Sequence, residues 1–418
     1  MEKTTTLNKI INDPVHGFIE VQKGAILPLI DTPPFQRLRR IKQMGLGSLV
    51  YPGAVHSRFN HALGAMHLMR QALDTLRRKE VEISDEEYFS ALTAILMHDL
   101  GHGPYSHALE RVIIPGLHHE RMSLALMEML NRQFGGELDM AIDIFTGDYP
   151  RKFLHQLVSS QLDMDRMDYL IRDSFFTGVA EGIVGIDRII KILNVHKDEL
   201  VCEYKGIYSL EKFIIARRLM YWQVYLHKAA MTAEYLLVNC LKRVRELVEQ
   251  GEPVFLDENL GYFFHQSIST EDLTQEVLDR FNLLDDNDID FHLKKWQFSE
   301  DRVLSDLCKR ILSRNLLKLN MRSNPIDEGE LAELRKAWMK HSGCTEEEVK
   351  YYVFGGKVSN QAYIEGNHEP ILVWHKSGEV LDLAEASDMD NIHALASPVT
   401  KYYICFPEEL RKTPAGLS

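Results

Sequence analysis

The 418-residue chain carries 45% hydrophobic and 26% charged residues, which suits a globular protein long enough for one large core and a smaller second unit. A formal net charge of -13 speaks against nucleic-acid binding through an overall basic surface, and no stretch approaches the roughly 20 apolar residues needed to span a bilayer. Cys202, Cys240, Cys308, Cys344 and Cys405 are scattered with no CxxC pair, so they read as core or surface thiols rather than a disulfide framework or a thiolate zinc site; with no apolar leader at the N-terminus, a cytoplasmic location is expected.

In chain order, Lys9 to Gly17 is rich in turn residues and Phe18 to Val21 alternates like a strand, which predicts a hairpin. Asp31-Thr-Pro-Pro34 is expected to open a helix with Phe35, Leu38, Ile41 and Met44 on one face and Gln36, Arg37, Arg39, Arg40 and Lys42 elsewhere. Such a basic run is commonly a solvated face; anion binding is the alternative.

Gly53 to Phe59 leads into a helix in which His61, Leu63, Gly64, Met66, His67 and Leu68 make a nearly continuous buried surface. Arg58 and His61, three apart, share a face, and His67 reads as a core or surface histidine. Beyond the polar turn Arg77 to Ser84, Ser84 and Glu87 have capping-box spacing. Tyr88 to Leu100, with Leu92, Ile95 and Leu96, then reads as a buried helix. It carries His98 and Asp99, and Gly101 and Gly103 are expected to end it and admit close backbone contact. Burying such a pair without partners costs roughly several kcal/mol, whereas Zn, Fe, Mn or Ni would accept both side chains as ligands. An HD dipeptide alone is a weak signal in a chain with 18 histidines. Further ligands strengthen it, and His61 can reach the pair from the adjacent antiparallel helix.

Several histidines follow closely, among them His107, His118 and His119. Each singly is more often a surface residue, but together they supply groups that exchange protons near neutral pH, with His119 and Glu110 the foremost pair. Leu162 to Asp173 is a predicted helix that packs Leu162, Met164, Met167, Leu170 and Ile171 and aligns Asp165, Arg166, Tyr169 and Asp173 in a polar stripe. The stripe is either a solvated face with internal ion pairs or part of a site. In the latter case Asp165 completes a two-histidine, two-aspartate set around one metal, leaving positions for water and a phosphate oxygen.

Leu210 to Val248 reads as one long, largely helical stretch without proline, carrying Arg217, Arg218, Tyr221, Tyr225, His227 and Lys228 among apolar neighbours, where a buried-side arginine is a natural fork for phosphate. Ser269 to Leu319 stays helical apart from a polar break at Asp285 to Asp288. Composition then changes: Glu328 to Met339 is a charged helix, Ile371 to Leu383 a hairpin around Lys376-Ser-Gly-Glu, and Lys401 to Phe406 a strand. The expectation is a mainly α protein with a helical core over 1–320 and a small α+β appendage over 321–418, suited to oligomerisation or regulation.

His61, His98-Asp99 and Asp165 resemble the H...HD...D signature of the HD-domain phosphohydrolases. Asn12-Asp-Pro-Val-His-Gly17, Asp31-Thr-Pro to Gly45, His56-Ser-Arg-Phe-Asn-His61, His98 to His107 and Tyr225-Leu-His-Lys228 make the chain similar to the deoxynucleoside triphosphate (dNTP) triphosphohydrolases of that family over roughly residues 8 to 320. Over this length no sterile-alpha-motif domain like that of the vertebrate members is expected.

The resemblance implies an HD-domain helical core and one divalent ion (Fe, Mn, Mg, Ni or Zn) on His61, His98, Asp99 and Asp165. It implies His119, His107 and Glu110 as catalytic residues, and Arg58, Arg166, Arg217 and Tyr169 on the triphosphate. Gln43 and Asp173 would hold the sugar 3'-hydroxyl, and Tyr225 would pack on the 2' carbon. Arg166 replaces a lysine and Glu110 an aspartate. The same resemblance implies an activating GTP or dNTP on Lys9, Asp31, Gln36, Arg39, Arg314 and Lys318. Asn12, Arg188, Lys205 and His227 resemble parts of a second site, where Glu203 replaces an arginine and would repel a triphosphate. A homodimer or homotetramer follows. The alternatives are an HD phosphodiesterase acting on a cyclic or oligomeric nucleotide and a weakly active nucleotide-binding regulatory protein.

Overall fold

The computed structural model describes residues 8–24, 26–106, 112–266, 268–269, 271–364 and 370–412. The expected positions His107 and Glu110 lie outside them. The fold is mainly α. Its centre is α1 (Arg58–Arg78), opened by a capping box between Ser57 and Asn60, packed on α2 (Asp85–Met97), whose Ser84 and Glu87 exchange the expected capping-box bonds. Such a cap stabilises a helix start by about 1 kcal/mol. The other helices used below are α3 (His119–Gln133), α4 (Met164–Thr177, capped by Asp163), α5 (Ile207–Met220), α6 (Lys228–Gln250), α7 (Asp286–Trp296) and α8 (Arg302–Leu312). α1 lies against both α2 and α4. Leu63 and Met66 of α1, Ile95 and Leu96 of α2, Leu126 of α3 and Leu170 of α4 share one continuous apolar core, each contributing about 1.5 to 3 kcal/mol on full burial.

Four expectations need correction. The helix opening at Asp31 spans only Pro33–Arg37, tightens into a 3-10 turn at Leu38–Arg40, and gives way to extended backbone at Ile41. Tertiary pairing takes that backbone: Arg58 N–H donates to Ile41 O at 2.9 Å, Gln43 N–H to His56 O at 3.0 Å, and Lys42 bridges Ser57. Arg37, placed among the outward basic residues, is fully buried. Its guanidinium donates to Leu100 O at 2.8 Å, His102 O at 3.0 Å and Leu284 O at 3.1 Å, and burial lowers its pKa to about 9. α2 stops at Met97, ahead of the glycines, so His98 is its C-cap. The stretch Leu210 to Val248 is broken by a π-helical turn at Tyr221–Tyr225, after which His227 caps α6. Tyr51 Oη–H donates to Gln223 O within that turn at 2.7 Å, a side chain satisfying a carbonyl at a helix interruption.

The sheets are small. β1 (Lys9–Asp13) and β2 (Gly17–Val21) form the expected hairpin, in register Lys9 with Val21. β3 (Leu193–His196) and β4 (Glu199–Glu203) form a second hairpin that the sequence reading did not identify, turning through Lys197 and Asp198, both at positive φ. Later come β5 (Lys318–Arg322), β6 (Phe354–Asn360), β7 (Leu372–Trp374), β8 (Val380–Asp382) and β9 (Val399–Phe406). The β7–β8 hairpin and the β9 strand match the expectation. β4 pairs in parallel with β7, giving the order β3-β4-β7-β8, while β5-β9-β6 is a separate sheet. Asp285 caps α7 at the expected polar break. All five cysteines are buried and free. Among the described residues no helix is long and apolar enough to cross a membrane.

Candidate active site

α1 starts where α2 ends, so the antiparallel packing of the two brings His61 to His98 and Asp99. One ligand atom from each of these three lies within 4.8 Å of the others. Asp165, in the first turn of α4, adds a carboxylate: its Oδ1 stands 3.0 Å from His61 Nε2 and 3.5 Å from His98 Nε2. The opposite nitrogens are engaged elsewhere. His61 Nδ1 is 2.8 Å from Asp168 Oδ2, and His98 Nδ1 is 2.6 Å from Ile95 O. Each ring thus turns Nε2 toward the cluster, and both Nε2 atoms are buried with no well-formed hydrogen bond among the described residues. Two orphaned imidazole nitrogens facing two carboxylates suit a divalent cation.

The electrostatics agree. Burial alone would lower the pKa of His61, yet Asp165 and Asp168 outweigh it and raise it to about 10. Burial pushes the Asp165 carboxyl up, while His61 and His98 draw it far below the usual carboxylate range. The cluster therefore holds a positive charge, as a proton on imidazole or as a metal ion that displaces it.

Sequence reasoning missed the support behind these groups. Asp168, fully buried, also meets His16 Nε2 at 2.6 Å and Arg172 Nε at 2.8 Å, and Arg172 Nη1 continues to Asp13 Oδ2 at 2.8 Å. Asp13 and His16 come from the β1–β2 hairpin. The local signal was an aspartate four residues before an arginine, indistinguishable in sequence from a surface pair. Gly64 completes the fit, since a Cβ there would sit 2.0 Å from Asp168 Oδ1.

Arg58 stands on Asp99, with Nη1 to Oδ2 at 2.6 Å, and Nη2 on Ser106 Oγ at 2.7 Å. His102, also unassigned from sequence, lies 3.2 Å from Asp99 Oδ1 and stacks on His119 with ring centroids 3.9 Å apart. Burial, reinforced by Arg58, lowers the His102 pKa to about 3 and keeps its ring neutral. Beyond Asp165, Arg166 is held cationic chiefly by Asp163, while burial lowers the Arg217 pKa from its usual value against the opposing pull of Tyr169, Asp163 and Asp165. Tyr169 lies edge-on to Tyr225, with centroids 6.1 Å apart. Tyr225 Oη–H donates to Asp173 Oδ2 at 2.7 Å, and His56 Nε2 reaches Asp173 Oδ1 at 2.7 Å. Gln43, whose backbone bonds His56, has a buried Oε1 without a partner among the described residues.

The activator candidates fall into separate places. Gln36 Nε2 donates to Ile30 O at 2.8 Å, and Arg39 donates to Gln36 Oε1 at 2.8 Å while stacking on Phe59. Lys9 begins β1, and Asp31 is exposed at the end of the helix Leu27–Ile30. Arg314, Lys318 and His227 instead line a cavity of about 740 Å³ with Lys228. Arg188 donates to Lys205 O at 3.1 Å, and Glu203 pairs with Lys79 and Lys205.

Residues 184–259 match the family described as the HD associated region. The chain is 33% identical over 394 residues to the uncharacterized protein YwfO of Bacillus subtilis, covering 91% of this chain and 88% of that one. It is 30% identical over 285 residues to the deoxynucleoside triphosphate triphosphohydrolase SAMHD1 of Homo sapiens, covering 58% of this chain and 45% of that protein. Among solved structures, a phosphohydrolase from Bacteroides thetaiotaomicron is 46% identical with a TM-score of 0.92, covering 96% of this chain and all of that one.

Proposed function

This chain belongs to the HD-domain phosphohydrolases, and from that premise we propose that it hydrolyses deoxynucleoside triphosphates to deoxynucleoside and triphosphate. The observation that carries the reading is a carboxylate–imidazole cluster suited to a cation with the guanidiniums of Arg166 and Arg217 near enough that the Asp165 carboxylate acts on both. A phosphate chain satisfies the guanidiniums while offering oxygen to the cluster. The triphosphohydrolase relative, of which the match spans under half, lends the same substrate class.

His61, His98, Asp99 and Asp165 would hold the divalent ion. Bound there, such an ion would withdraw charge from a phosphoryl oxygen and acidify its water. The chain's own residues supply the rest. Arg166 and Arg217 neutralise the triphosphate, helped by Tyr169 and, once drawn from Asp99, Arg58. As the oxygen of water bonds to the α-phosphorus and the bond from that phosphorus to the sugar 5'-oxygen breaks, His119, held against the neutral ring of His102, gives a proton to the 5'-oxygen of the departing deoxynucleoside, with His107 and Glu110 proposed alongside it. Asp173 accepts a hydrogen bond from the sugar 3'-hydroxyl, the Gln43 amide N–H donates to that hydroxyl's oxygen, and the Tyr225 ring excludes a 2'-hydroxyl. The 740 Å³ cavity with Arg314, Lys318 and His227 supports a regulatory nucleotide site, completed in an oligomer by Lys9, Asp31, Gln36 and Arg39 of another copy.

The test is the product and the sugar. The manganese-loaded protein should convert dGTP to deoxyguanosine and inorganic triphosphate, resolved by ion-pair chromatography. Dideoxy-GTP leaves Gln43 unpaired and takes from Asp173 one partner beyond Tyr225 and His56, a loss of about 1 to 3 kcal/mol, hence roughly 5- to 150-fold in kcat/KM. Release of monophosphate, or equal turnover of GTP and dGTP, would refute the reading and favour a phosphodiesterase.

A further inference from the structure

One side chain joins the segment just before α4 to the C-terminal region. Gln161 lies in the loop before α4, two residues ahead of the cap Asp163. Its amide makes a two-way bond with the backbone of Ile364: Nε2–H donates to Ile364 O at 2.8 Å, and Ile364 N–H donates to Oε1 at 2.7 Å. The carbonyl of Gln161 in turn accepts from Arg217 Nη1 at 3.0 Å. The next arginine reaches the same segment from the other side, Arg218 Nη1 donating to Asn360 O at 3.3 Å.

Gln161 is itself buried, so its amide is a fixed link rather than a solvated one. A glutamine is well suited to this work, because its planar amide offers a donor and an acceptor side by side, the pattern a backbone presents. Locking the side chain on residue 364 fixes the peptide whose carbonyl steers Arg217. Arg217 is the guanidinium assigned above to the phosphate chain, and a fork delivers two hydrogen bonds to phosphate only when its plane is held.

We propose that Gln161 is a positioning residue that aims Arg217 at the substrate's phosphates, and that the segment 360–364 of the C-terminal region thereby takes part in substrate recognition. The proposal rests on the triphosphohydrolase reading and adds to it a specific coupling between the helical core and the C-terminal region.

The experiment compares the manganese-loaded full chain with Gln161→Ala, Gln161→Glu, Arg217→Ala and the Gln161→Ala/Arg217→Ala double variant. KM and kcat are measured for dGTP, and inorganic tripolyphosphate serves as a competitor that reads phosphate binding without turnover. Gln161→Ala is expected to raise KM about 10-fold with kcat changed less than about threefold, and to weaken tripolyphosphate inhibition in parallel. Gln161→Glu keeps an acceptor for Ile364 N–H but sets a carboxylate against Ile364 O, so it should shift the same two readouts; it carries the test if Gln161→Ala does not fold. The double variant should be no worse than Arg217→Ala, because both changes remove one interaction. Unchanged KM and tripolyphosphate inhibition, or full additivity in the double variant, would overturn this inference alone. An unmutated protein that hydrolyses no dNTP would overturn the functional reading and this inference with it.

Discussion

Asp168 does more for the site than its distance from the chemistry suggests. Its Oδ2 lies 2.8 Å from His61 Nδ1, so an N–H at Nδ1 leaves the Nε2 lone pair free for a metal. The Arg172 guanidinium, His16 and His61 hold its carboxyl well below the usual carboxylate range against the opposing effect of burial. Asp168→Asn keeps the volume but removes the charge, placing an amide where one guanidinium and two imidazoles converge. Metal affinity should fall about 10- to 100-fold, measured by competition with a chelator. Stability should also fall, by about 3 to 5 kcal/mol, as Arg172 loses one of its two buried carboxylates. Full metal affinity in a destabilised variant would leave Asp168 as a structural anchor only.

The placement of His119 is decided by how closely helices approach. Gly101, just beyond α2, lies under the first turn of α3: an added Cβ would meet His119 O at 2.1 Å and Ser123 N at 2.3 Å. Its own N–H donates to Ser123 Oγ at 2.8 Å, and that hydroxyl donates to His98 O at 2.6 Å. One glycine and one serine thus lock the metal-ligand turn to the helix carrying the proposed acid. Since backbone rather than a flexible side chain blocks the way, Gly101→Ala must push α3 outward. The expected cost is about 3 kcal/mol or more by denaturant unfolding, with a fall in kcat larger than any rise in KM because His119 moves. Gly185→Ala, whose Cβ would meet nothing nearer than Arg188 Cβ at 3.9 Å, is the control, and equal loss in both variants would remove the argument from close approach.

Across the whole molecule, the parallel pairing of β4 with β7 places a strand from the later part of the chain beside one that follows α4. The proposed regulatory cavity is likewise shared, with Tyr51 and His227 from the core and Lys401 and Glu408 from the last strand and the turn after it. Its basic residues are balanced in part by Glu408, which pairs with Lys318 at 3.0 Å. A nucleotide there would replace that pair and draw on a second copy's Lys9 and Arg39. GTP should therefore shift the protein to a heavier species in sedimentation velocity, and Arg314→Ala should reduce the shift. An unchanged sedimentation profile with GTP would count against regulation through assembly.

The sequence by itself determined the features whose chemistry is local. Apolar spacing announced the helices around His61, His98 and Asp165, a capping pair the start of the second of these, turn residues announced two hairpins, and the order of histidines and aspartates pointed to a metal. The mainly α class, with a small α+β part, was readable for the same reason. Only tertiary structure decided which polar residues are buried, because burial depends on what packs from outside the local window. Arg37 reads in sequence as one more charge in a basic run, yet three backbone carbonyls from distant segments enclose it. Asp168 and Arg172 are indistinguishable in sequence from a surface ion pair, and only the β1–β2 hairpin, by delivering Asp13 and His16 to them, makes them part of a buried network. The break at Tyr221–Tyr225 carries no proline or glycine and shows only where Tyr51 bonds into the turn. Gln161 looked like any loop glutamine, and its link to Ile364, some two hundred residues later, exists only once the chain has folded.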